Sequence, residues 1–308
     1  DMALALNQDA SVPVLIEGET GTGKEILARL IHFGHAGNPA PFVALNCAAI
    51  TGNLFESELF GYAPGAFTGG SARGARGKLE LAGSGSLLLD EVGDLPLLLQ
   101  PKLLRAIEER EFFRVGGLKK RRFEARLICA TNADLQAMVE AGSFRRDLLH
   151  RIQVGHIRIP PLRERPEDIQ AMAEHFLARE TMKRGKRFTA ISPAALVLLN
   201  SHPWPGNVRE LEHALERAVL LFDDSVLKPG HLEFLQSGGA RPAAAVSSSS
   251  AEDALELPED FFDLDGWLEV QAKEVVSRVL DRFGGNKTKA ASYLGWDRNR
   301  IYRLLGND

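Results

Sequence analysis

The run GETGTGK at residues 18–24 has the residue types and the G-x-x-x-x-G-K spacing of a phosphate-binding loop. Glycines allow backbone N–H groups to converge on an anion, and the start of the following helix adds its own positive end. Lys24 supplies a full charge for the outer phosphates, whereas Glu25 stands where a magnesium-binding Ser or Thr is usual. The run therefore predicts a site for a nucleoside phosphate.

Two carboxylates further along the chain could complete such a site. Asp90 and Glu91 end the apolar run SLLLDE at residues 86–91. We expect Asp90 to hold Mg²⁺, directly or through water, and Glu91 to polarise the attacking water. Alone, the pair could be an exposed acidic strand end, but its place downstream of a phosphate loop predicts hydrolysis. Thr131 and Asn132 end another apolar run, and we expect them in the same crevice.

Alternating strands and helices must position these groups. Short apolar runs predict strands at residues 12–16, 41–47, 86–91, 126–132 and 154–159. Helical stretches are predicted at residues 2–6, 25–31, 54–60, 100–110 and 144–151, and a hairpin at residues 112–123 that turns at Gly116 and Gly117. This alternation predicts an α/β fold with a doubly wound, mostly parallel sheet.

A second glycine-rich stretch, residues 61–77, is unusually long for a loop inside a compact domain. It carries Phe67 in the middle of a run of small residues. One interpretation is a surface loop whose aromatic side chain is tucked inward. The other is a mobile loop that presents Phe67 to a partner.

The second half of the chain has a different pattern, and strands are predicted to stop at Pro166. Helices are predicted at residues 166–183, 192–200, 206–222 and 230–235, with Ser192 and Asn207 as N-caps. The runs SGG, PAAA and SSSS then indicate a flexible linker. These shifts divide the chain into an α/β part at residues 1–161, a helical part at 162–235, a linker at 236–262 and a C-terminal domain at 263–308.

The C-terminal domain has the pattern of a helix-turn-helix. An apolar stripe at helical spacing covers residues 264–283, Asn286 caps a second helix that ends at Leu294, and a third helix covers residues 298–305. The candidate DNA-binding residues are Lys287, Thr288, Arg298, Asn299, Arg300 and Arg303. We expect residues 298–300 to read bases and Arg303 to contact phosphate, although a solvated charged face would have the same composition.

Composition limits the remaining possibilities. The net charge of −4 over 308 residues means that any DNA contact must be local. Cys47 and Cys129 lie in apolar runs, which indicates buried free thiols in a reducing cytoplasm. No apolar stretch approaches the roughly 20 residues that cross a bilayer, so no membrane role is expected. Because the chain opens directly on a helical pattern, we expect it to be part of a longer protein.

Several of these stretches, in this order, resemble the bacterial enhancer-binding proteins, which are sigma-54-dependent transcriptional activators of the AAA+ class. GETGTGKE is similar to their phosphate loop, in which Glu25 is usual, and LLLDEVGDL to their Walker B strand. GYAPGAFTGG resembles their signature GAFTGA loop, with Gly70 replacing the last alanine. RLICATN resembles the sensor I strand, FRRDLLHR the arginine-finger helix, PPLRERPEDI the start of the lid, WPGNVREL the sensor II helix and GNKTKAASYLGWDRNRIYRLL the Fis-type DNA-binding end.

The resemblance covers nearly the whole chain and implies a AAA+ P-loop NTPase with a parallel sheet core, a helical lid and an all-α helix-turn-helix domain. ATP and Mg²⁺ would be its cofactors. The implied cofactor-binding residues are Gly18, Glu19, Thr20, Gly21, Thr22, Gly23, Lys24, Glu25, Asp90, Arg163 and Arg209, with Asp90 as the magnesium ligand. The implied catalytic residues are Glu91, Asn46, Arg145, Arg151, Thr131 and Asn132, with Asn46 hydrogen-bonded to Glu91 as a switch.

The resemblance also implies partners. Arg145 and Arg151 would reach the γ-phosphate of a neighbouring copy, which requires a hexameric or heptameric ring, although Arg146 stands where the family often has an acidic residue. The sigma-54 RNA polymerase holoenzyme would be contacted by Gly65, Ala66, Phe67, Thr68, Gly69 and Gly70. The C-terminal domain would dimerise on an upstream inverted repeat of double-stranded DNA. The alternative is a DNA-binding regulator of this fold that no longer contacts sigma-54, a possibility raised by Gly70.

Overall fold

The computed structural model of this chain describes residues 2–34, 37–49, 52–66, 71, 73–238, 273, 276, 279–280, 283–284 and 286–294. The chain divides into two compact units, Asp1–Arg241 and Pro242–Asp308. The strands of the first unit are β1 (Val14–Glu17), β2 (Phe42–Asn46), β3 (Gly61–Tyr62), β4 (Ala75–Arg76), β5 (Ser86–Asp90), β6 (Glu111–Phe113), β7 (Lys120–Arg122), β8 (Arg126–Thr131), β9 (Gly155–Arg158), β10 (Ala190–Ile191) and β11 (Val226–Leu227). Its helices are α1 (Met2–Gln8), α2 (Lys24–Phe33), α3 (Gly52–Phe60), α4 (Lys78–Leu81), α5 (Gln100–Glu109), α6 (Leu135–Glu140), α7 (Arg146–Ile152), α8 (Pro166–Arg184), α9 (Pro193–Ser201), α10 (Asn207–Leu221) and α11 (Glu233–Gly238).

A five-stranded sheet in the order β2–β5–β8–β1–β9 forms the centre of the first unit, and all of its pairings are parallel. Successive residues of each strand face opposite sides, so Val14 and Ile16 pack under α2 while Leu15 packs on the other face. All six residues of β8 are buried, as expected for a parallel sheet that is covered on both sides. The predicted α/β fold is confirmed.

Parallel strands bring their carboxyl ends to one edge of the sheet, and the register fixes which residues meet there. Asn46 is the register partner of Asp90, and Glu17 is the partner of both Thr131 and Arg158. The phosphate loop follows β1 directly. The polar residues that were predicted from strand ends therefore lie along a single edge.

The helical part packs α8, α9 and α10 around Trp204, Leu211 and Leu215, which are fully buried. The Ser192 hydroxyl accepts a hydrogen bond from the Ala195 N–H at 3.2 Å, which confirms its predicted N-cap role. The prediction that strands stop at Pro166 is wrong in one detail, because β10 and β11 form a short parallel pair. Each of these strands has two residues, which is too short to produce a periodic signal in the sequence.

The glycine-rich stretch 61–77 is anchored at its base by pairing of β3 with β4 rather than being loop throughout. Gly61 has φ 75°, and a Cβ there would lie 2.6 Å from the carbonyl oxygen of Ala75, so only glycine fits. The predicted hairpin is confirmed as β6 and β7, and Val115 in its turn bridges to Tyr62. Residues 67–70 lie outside the described part of the chain.

In the second unit, a helix is described at Lys287–Leu294, and its residues Ala290 and Ala291 pack with Val276. The Asn286 side chain accepts a hydrogen bond from the Lys289 N–H at 3.1 Å, which confirms the predicted cap. Lys287 and Thr288 lie in this helix, whereas Arg298, Asn299, Arg300 and Arg303 lie outside the described residues, as does most of the predicted linker.

Two further expectations concern the whole chain. Both cysteines are free and buried, as predicted, and burial raises the pKa of the Cys47 thiol to about 12. Within the described residues, no helix combines the length and the apolar character that a membrane crossing needs.

Candidate active site

The phosphate loop connects β1 to α2 and takes its shape from two glycines in the left-handed region. Gly21 has φ 81° and Gly23, at the N-cap of α2, has φ 101°. A side chain on Gly21 would also collide with the carbonyl oxygen of Gly206 on the lid. Glycine is therefore required at position 21 for two reasons, the positive φ and the close approach of the lid.

Lys24 is nearly buried at the base of this loop. Its ammonium donates to the carbonyl oxygen of Gly18 at 2.9 Å and lies 3.5 Å from Oε1 of Glu91. The Thr22 hydroxyl donates to the carbonyl oxygen of Glu19 at 2.8 Å and tightens the same turn. The single positive side chain inside the loop is thus held next to the carboxylate that was predicted to activate water.

The carboxylates of Asp90 and Glu91 point in different directions although the two residues are neighbours in sequence. Asp90 is the last residue of β5, and its pKa is raised by burial and by the nearby charge of Glu91. Glu91 has φ 52°, which turns its carboxylate toward Lys24 and lets Oε2 accept the Asn132 N–H at 3.0 Å. Non-glycine residues rarely adopt the left-handed region, and those that do are often found at functional sites.

The predicted hydrogen bond between Asn46 and Glu91 is wrong for this structure. The Asn46 amide instead donates to Oδ2 of Asp90 at 3.4 Å, while Oδ1 of Asn46 accepts the N–H of Ala48 at 2.9 Å. The reason is the register: Asn46 stands opposite Asp90 on the adjacent strand, and Glu91 turns away after the strand ends.

Asn132 and Thr131 were predicted together but have different surroundings. The Asn132 amide donates to the Thr20 hydroxyl at 2.9 Å and so contacts the phosphate loop directly. Thr131 is buried, and its hydroxyl accepts the Ala133 N–H at 3.0 Å. Thr131 therefore shapes the turn after β8, and Asn132 is the member of the pair that reaches the site.

The phosphate loop and the ends of β2 and β5 open on a cleft of about 440 Å³ between the sheet edge and the lid, whereas Asn132 lines a neighbouring cleft. The lining of the 440 Å³ cleft includes Lys24, Asn46, Asp90, Glu91 and, from the lid helix α10, Arg209. The exposed Arg209 side chain is positioned by its own backbone, whose N–H donates to the carbonyl oxygen of Gly21 at 3.2 Å. Four carboxylates, those of Glu25, Asp90, Glu91 and Glu212, line one cavity together with a lysine and an arginine.

Glu25 also borders the cleft, but its carboxylate pairs with Arg29 at 2.7 Å on the outer face of α2. Among the described residues, no group of three His, Cys, Asp or Glu side chains could hold a metal alone. The half-buried Asp90 carboxylate, with its raised pKa, is the oxygen donor that would suit a hard cation. A magnesium ion that keeps several waters and phosphate ligands fits such a single carboxylate.

Glu19 and Arg163, both predicted nucleotide contacts, bind each other in this structure. Two hydrogen bonds of 2.6 and 2.8 Å join the guanidinium to the carboxylate and lower the pKa of Glu19 to about 2. Both residues line a separate cleft of about 520 Å³ that does not include Lys24, Asp90 or Glu91 in its lining. Direct contact of either residue with a nucleotide stays a prediction.

Asn207 is the main residue that sequence reasoning missed. It was predicted to cap α10, but it is the first residue of that helix and Gly206 occupies the N-cap position. Its φ is 54°, its side chain is fully buried, and Oδ1 accepts the Leu162 N–H at 2.8 Å. Nδ2 donates to Oε2 of Glu19 at 3.1 Å and to the carbonyl oxygen of Thr20 at 3.0 Å.

Arg145 and Arg151, the predicted arginine fingers, lie at the start and near the end of α7. Arg145 pairs with Asp147 at 2.6 Å, and the pKa of Asp147 is lowered by that contact. Arg151 is partly buried, and its Nε has no hydrogen-bond partner among the described residues. Neither arginine lines the 440 Å³ cleft of its own chain.

Comparisons with known proteins agree with this geometry. Residues 2–158 match the Sigma-54 interaction domain, residues 163–248 the AAA+ ATPase lid domain and residues 268–305 the Fis family of bacterial regulatory proteins.

Among curated proteins, regulatory protein AtoC of Escherichia coli strain K12 is 42% identical over 307 residues, which is 98% of this chain and 63% of AtoC. Transcriptional regulatory protein ZraR of the same strain is 43% identical over 302 residues, 98% of this chain and 65% of ZraR. This chain therefore spans less than two thirds of the length of either relative.

Solved structures include NtrX from Brucella abortus in complex with ATP, with a TM-score of 0.67, 32% identity, and coverage of 99% of this chain and 65% of that one. The ADP complex of the same protein has a TM-score of 0.68 and 32% identity, and the match covers 99% of this chain and 67% of that one. The parallel sheet, the match to the lid domain, the match to the Fis family and the similarity to NtrX confirm the predicted fold.

Proposed function

This chain belongs to the Sigma-54 interaction domain family, and we propose that it is an ATPase that remodels the sigma-54 RNA polymerase complex at promoters. The observation that carries the proposal is the cleft in which Lys24 of the phosphate loop lies 3.5 Å from Glu91 and shares the lining with Asp90. The binding of ATP and ADP by NtrX supports a nucleotide in this cleft.

In the proposed reaction each side chain acts through its position. Lys24 exchanges its carbonyl contacts for phosphate oxygens and neutralises their charge. Asp90 would hold Mg²⁺, which would supply further charge neutralisation at the phosphates. Glu91 accepts the proton of the attacking water, and Asn132, tied to both Glu91 and Thr20, keeps that carboxylate in line with the phosphate loop.

We further propose that the site is completed by a second copy of the chain. Arg145 and Arg151 are absent from the lining of their own cleft, so neither is placed to act on a nucleotide bound there. A guanidinium from a neighbour stabilises charge that develops on the transferred phosphoryl group. The assembly would be a hexameric or heptameric ring.

The remaining partners follow from the family. Residues 65–70, with Phe67 and Thr68 at their centre, would contact sigma-54, and the glycine-rich base anchored by β3 and β4 would support that contact. The Fis-type domain would dimerise on double-stranded DNA upstream of the promoter, with residues 298–300 as base contacts. Such a protein works in the cytoplasm, where its polymerase partner is found.

Sigma-54 capture tests this proposal. The chain is mixed with sigma-54 and the transition-state analogue ADP–aluminium fluoride, and complexes are separated by gel filtration. We expect a stable complex with the analogue, none with ADP, and none for Lys24→Ala.

The Gly70→Ala variant distinguishes the alternative regulator. If only Gly70→Ala binds sigma-54 and activates transcription, the native chain has lost that contact. If neither protein binds sigma-54 in an assembled ring, the proposal is wrong.

A further inference from the structure

The lid holds the phosphate loop at four successive residues. The Glu19 carboxylate accepts hydrogen bonds from Arg163 and from Asn207. The next three carbonyl oxygens accept from three lid donors, which are Asn207 Nδ2 to Thr20 at 3.0 Å, Arg209 N to Gly21 at 3.2 Å and Arg165 Nη2 to Thr22 at 3.1 Å. Consecutive contacts of this kind fix the orientation of each peptide unit in the loop.

The orientation of those peptide units decides whether the loop can bind an anion. In a trans peptide the C=O and N–H bonds point in opposite directions. A lid that holds the carbonyl oxygens of residues 20–22 therefore turns the N–H groups of Gly21 and Gly23 away from the lid, while the N–H of Thr22 donates to the carbonyl oxygen of Glu19 at 3.3 Å within the loop. Successive N–H groups on one side of a loop form an anion-binding concavity.

Asn207 is specialised for this contact. Its two amide hydrogens go to Glu19 and to the carbonyl oxygen of Thr20, and its oxygen accepts the Leu162 N–H, so one side chain joins the loop to two parts of the lid. It does so from a fully buried position with φ 54°, a conformation disfavoured for a non-glycine residue. The surrounding contacts maintain that backbone angle.

We infer that Glu19, Arg163 and Asn207, which we name the lid latch, are positioning residues that hold the phosphate loop in its anion-receptive shape. This inference rests on the proposed nucleotide site. Docking of the lid then sets nucleotide affinity, and by reciprocity a bound nucleotide tightens the lid. The latch acts through the loop and touches no reacting atom.

The sign of one effect separates the latch from simple electrostatics. Removing the negative charge of Glu19 beside a phosphate site should strengthen anion binding if only through-space charge matters. The latch predicts the reverse, because loss of Glu19 frees Arg163 and one hydrogen of Asn207 and lets the loop peptides reorient. A direct contact between Arg163 and the nucleotide would instead make Arg163→Ala harmful and leave Glu19→Ala harmless or favourable.

The test uses Glu19→Ala, Arg163→Ala and their double variant in the full chain, because both side chains are about half exposed. Asn207→Gly is added because glycine accepts the positive φ at that position. The matched control is Arg187→Ala, which removes a lid arginine that pairs with the Asp223 carboxylate instead of the loop. Equilibrium binding and dissociation of the fluorescent analogue mant-ADP are measured, with the KM and kcat of ATP hydrolysis.

We expect each latch variant to raise the mant-ADP dissociation constant and dissociation rate about tenfold, within the roughly 5- to 150-fold range of intersite coupling. The double variant should bind mant-ADP no more weakly than either single variant. In the latch variants the KM for ATP should rise while kcat stays within about twofold of the native value. Arg187→Ala should match the native chain in all of these quantities. Tighter or unchanged mant-ADP binding by Glu19→Ala overturns the latch. If Asn207→Gly does not fold, the Glu19 and Arg163 variants alone test the latch. A native chain that binds no mant-ADP overturns the proposed function as well as the latch.

Discussion

The two faces of the first unit that carry the proposed catalytic charges differ in how those charges are compensated. At the phosphate loop, Lys24 lies beside Glu91, and Glu19 is bound by Arg163. On α7, Arg145 contacts only the aspartate two residues further on among its described ion pairs, and Arg151 keeps a buried nitrogen without a partner among the described residues. The phosphate-loop face gathers its lysine and carboxylates around one cleft, whereas the two arginines of the α7 face lie outside the lining of that cleft.

This difference indicates which part of the reaction one chain can perform. Arg145 and Arg151 are absent from the lining of the cleft in their own chain, so under the proposed function each would have to act on the cleft of a neighbouring chain. The phosphate-loop face can bind nucleotide and hold water, whereas the stabilisation of transferred charge awaits a neighbour.

The largest effect is expected from Arg151→Ala, which removes a guanidinium from the α7 face. ATP hydrolysis should fall by about 10³, in the range known for arginine fingers. Glu91→Gln should lower the rate of ATP hydrolysis by a similar factor, because the attacking water then has no base to accept its proton. Mixing the two inactive variants should restore part of the rate, because a native Glu91 can then face a native Arg151 across an interface.

The control for that experiment is Arg105→Ala, since Arg105 is an exposed arginine paired with Glu109 on α5. It should retain the native rate. Full activity of Arg151→Ala alone, or no recovery in the mixture, would contradict an active site that is shared between two chains.

Lys24→Met should weaken nucleotide binding by about 100-fold, because the one positive side chain inside the loop is lost at a nearly buried position. Isothermal titration with ADP measures this directly. Lys102→Met, which removes an exposed lysine paired with Glu56, should bind as tightly as the native chain. Equal loss in both variants would show that general charge, and not the loop, binds the nucleotide.

Asp90→Asn should abolish magnesium-dependent hydrolysis and raise the Tm by about 2 °C at neutral pH. The sign follows from the pKa of Asp90, which burial and Glu91 raise above its unfolded value. A group with a raised pKa destabilises the folded state when it is ionised, and that penalty is relieved as the pH falls through the folded pKa. A Tm that is lower for Asp90→Asn than for the native chain would contradict this.

The smallest effect concerns the pH dependence of the lid latch. The pKa of Glu19 is lowered to about 2, mainly by its hydrogen bonds with Arg163, so its contribution is complete above the unfolded value near 4.5 and is lost only as the pH falls toward 2. The ratio of mant-ADP dissociation constants between Glu19→Ala and the native chain should therefore stay constant from pH 7.5 to about 5.5. A ratio that approaches one at the lower pH would show that Glu19 titrates in that interval.

Much of the nucleotide cleft could be predicted from the sequence because its parts are local. Asp90 and Asn132 each follow an apolar run, and parallel strands bring such ends to one edge. Lys24 and the loop glycines are contained in seven consecutive residues. Local patterns of this kind need no knowledge of the tertiary arrangement.

The errors arose where two distant segments meet. Asn207 looks like an N-cap in its own stretch, and only the docking of the lid reveals that its amide reaches a loop 188 residues earlier. Asn46 was assigned to Glu91, but strand register placed it against Asp90. Likewise, neither position in the sequence shows that the side chains of Glu19 and Arg163 lie 2.6 Å apart.

The measurement that tests the shared site most directly is the rate of ATP hydrolysis per chain as a function of protein concentration. Light scattering on the same samples reports the assembly state. A site shared between chains predicts a steep rise in the rate per chain as rings form, followed by a plateau. A rate per chain that is already maximal where scattering shows monomers would contradict it, because a single chain would then contain the complete site.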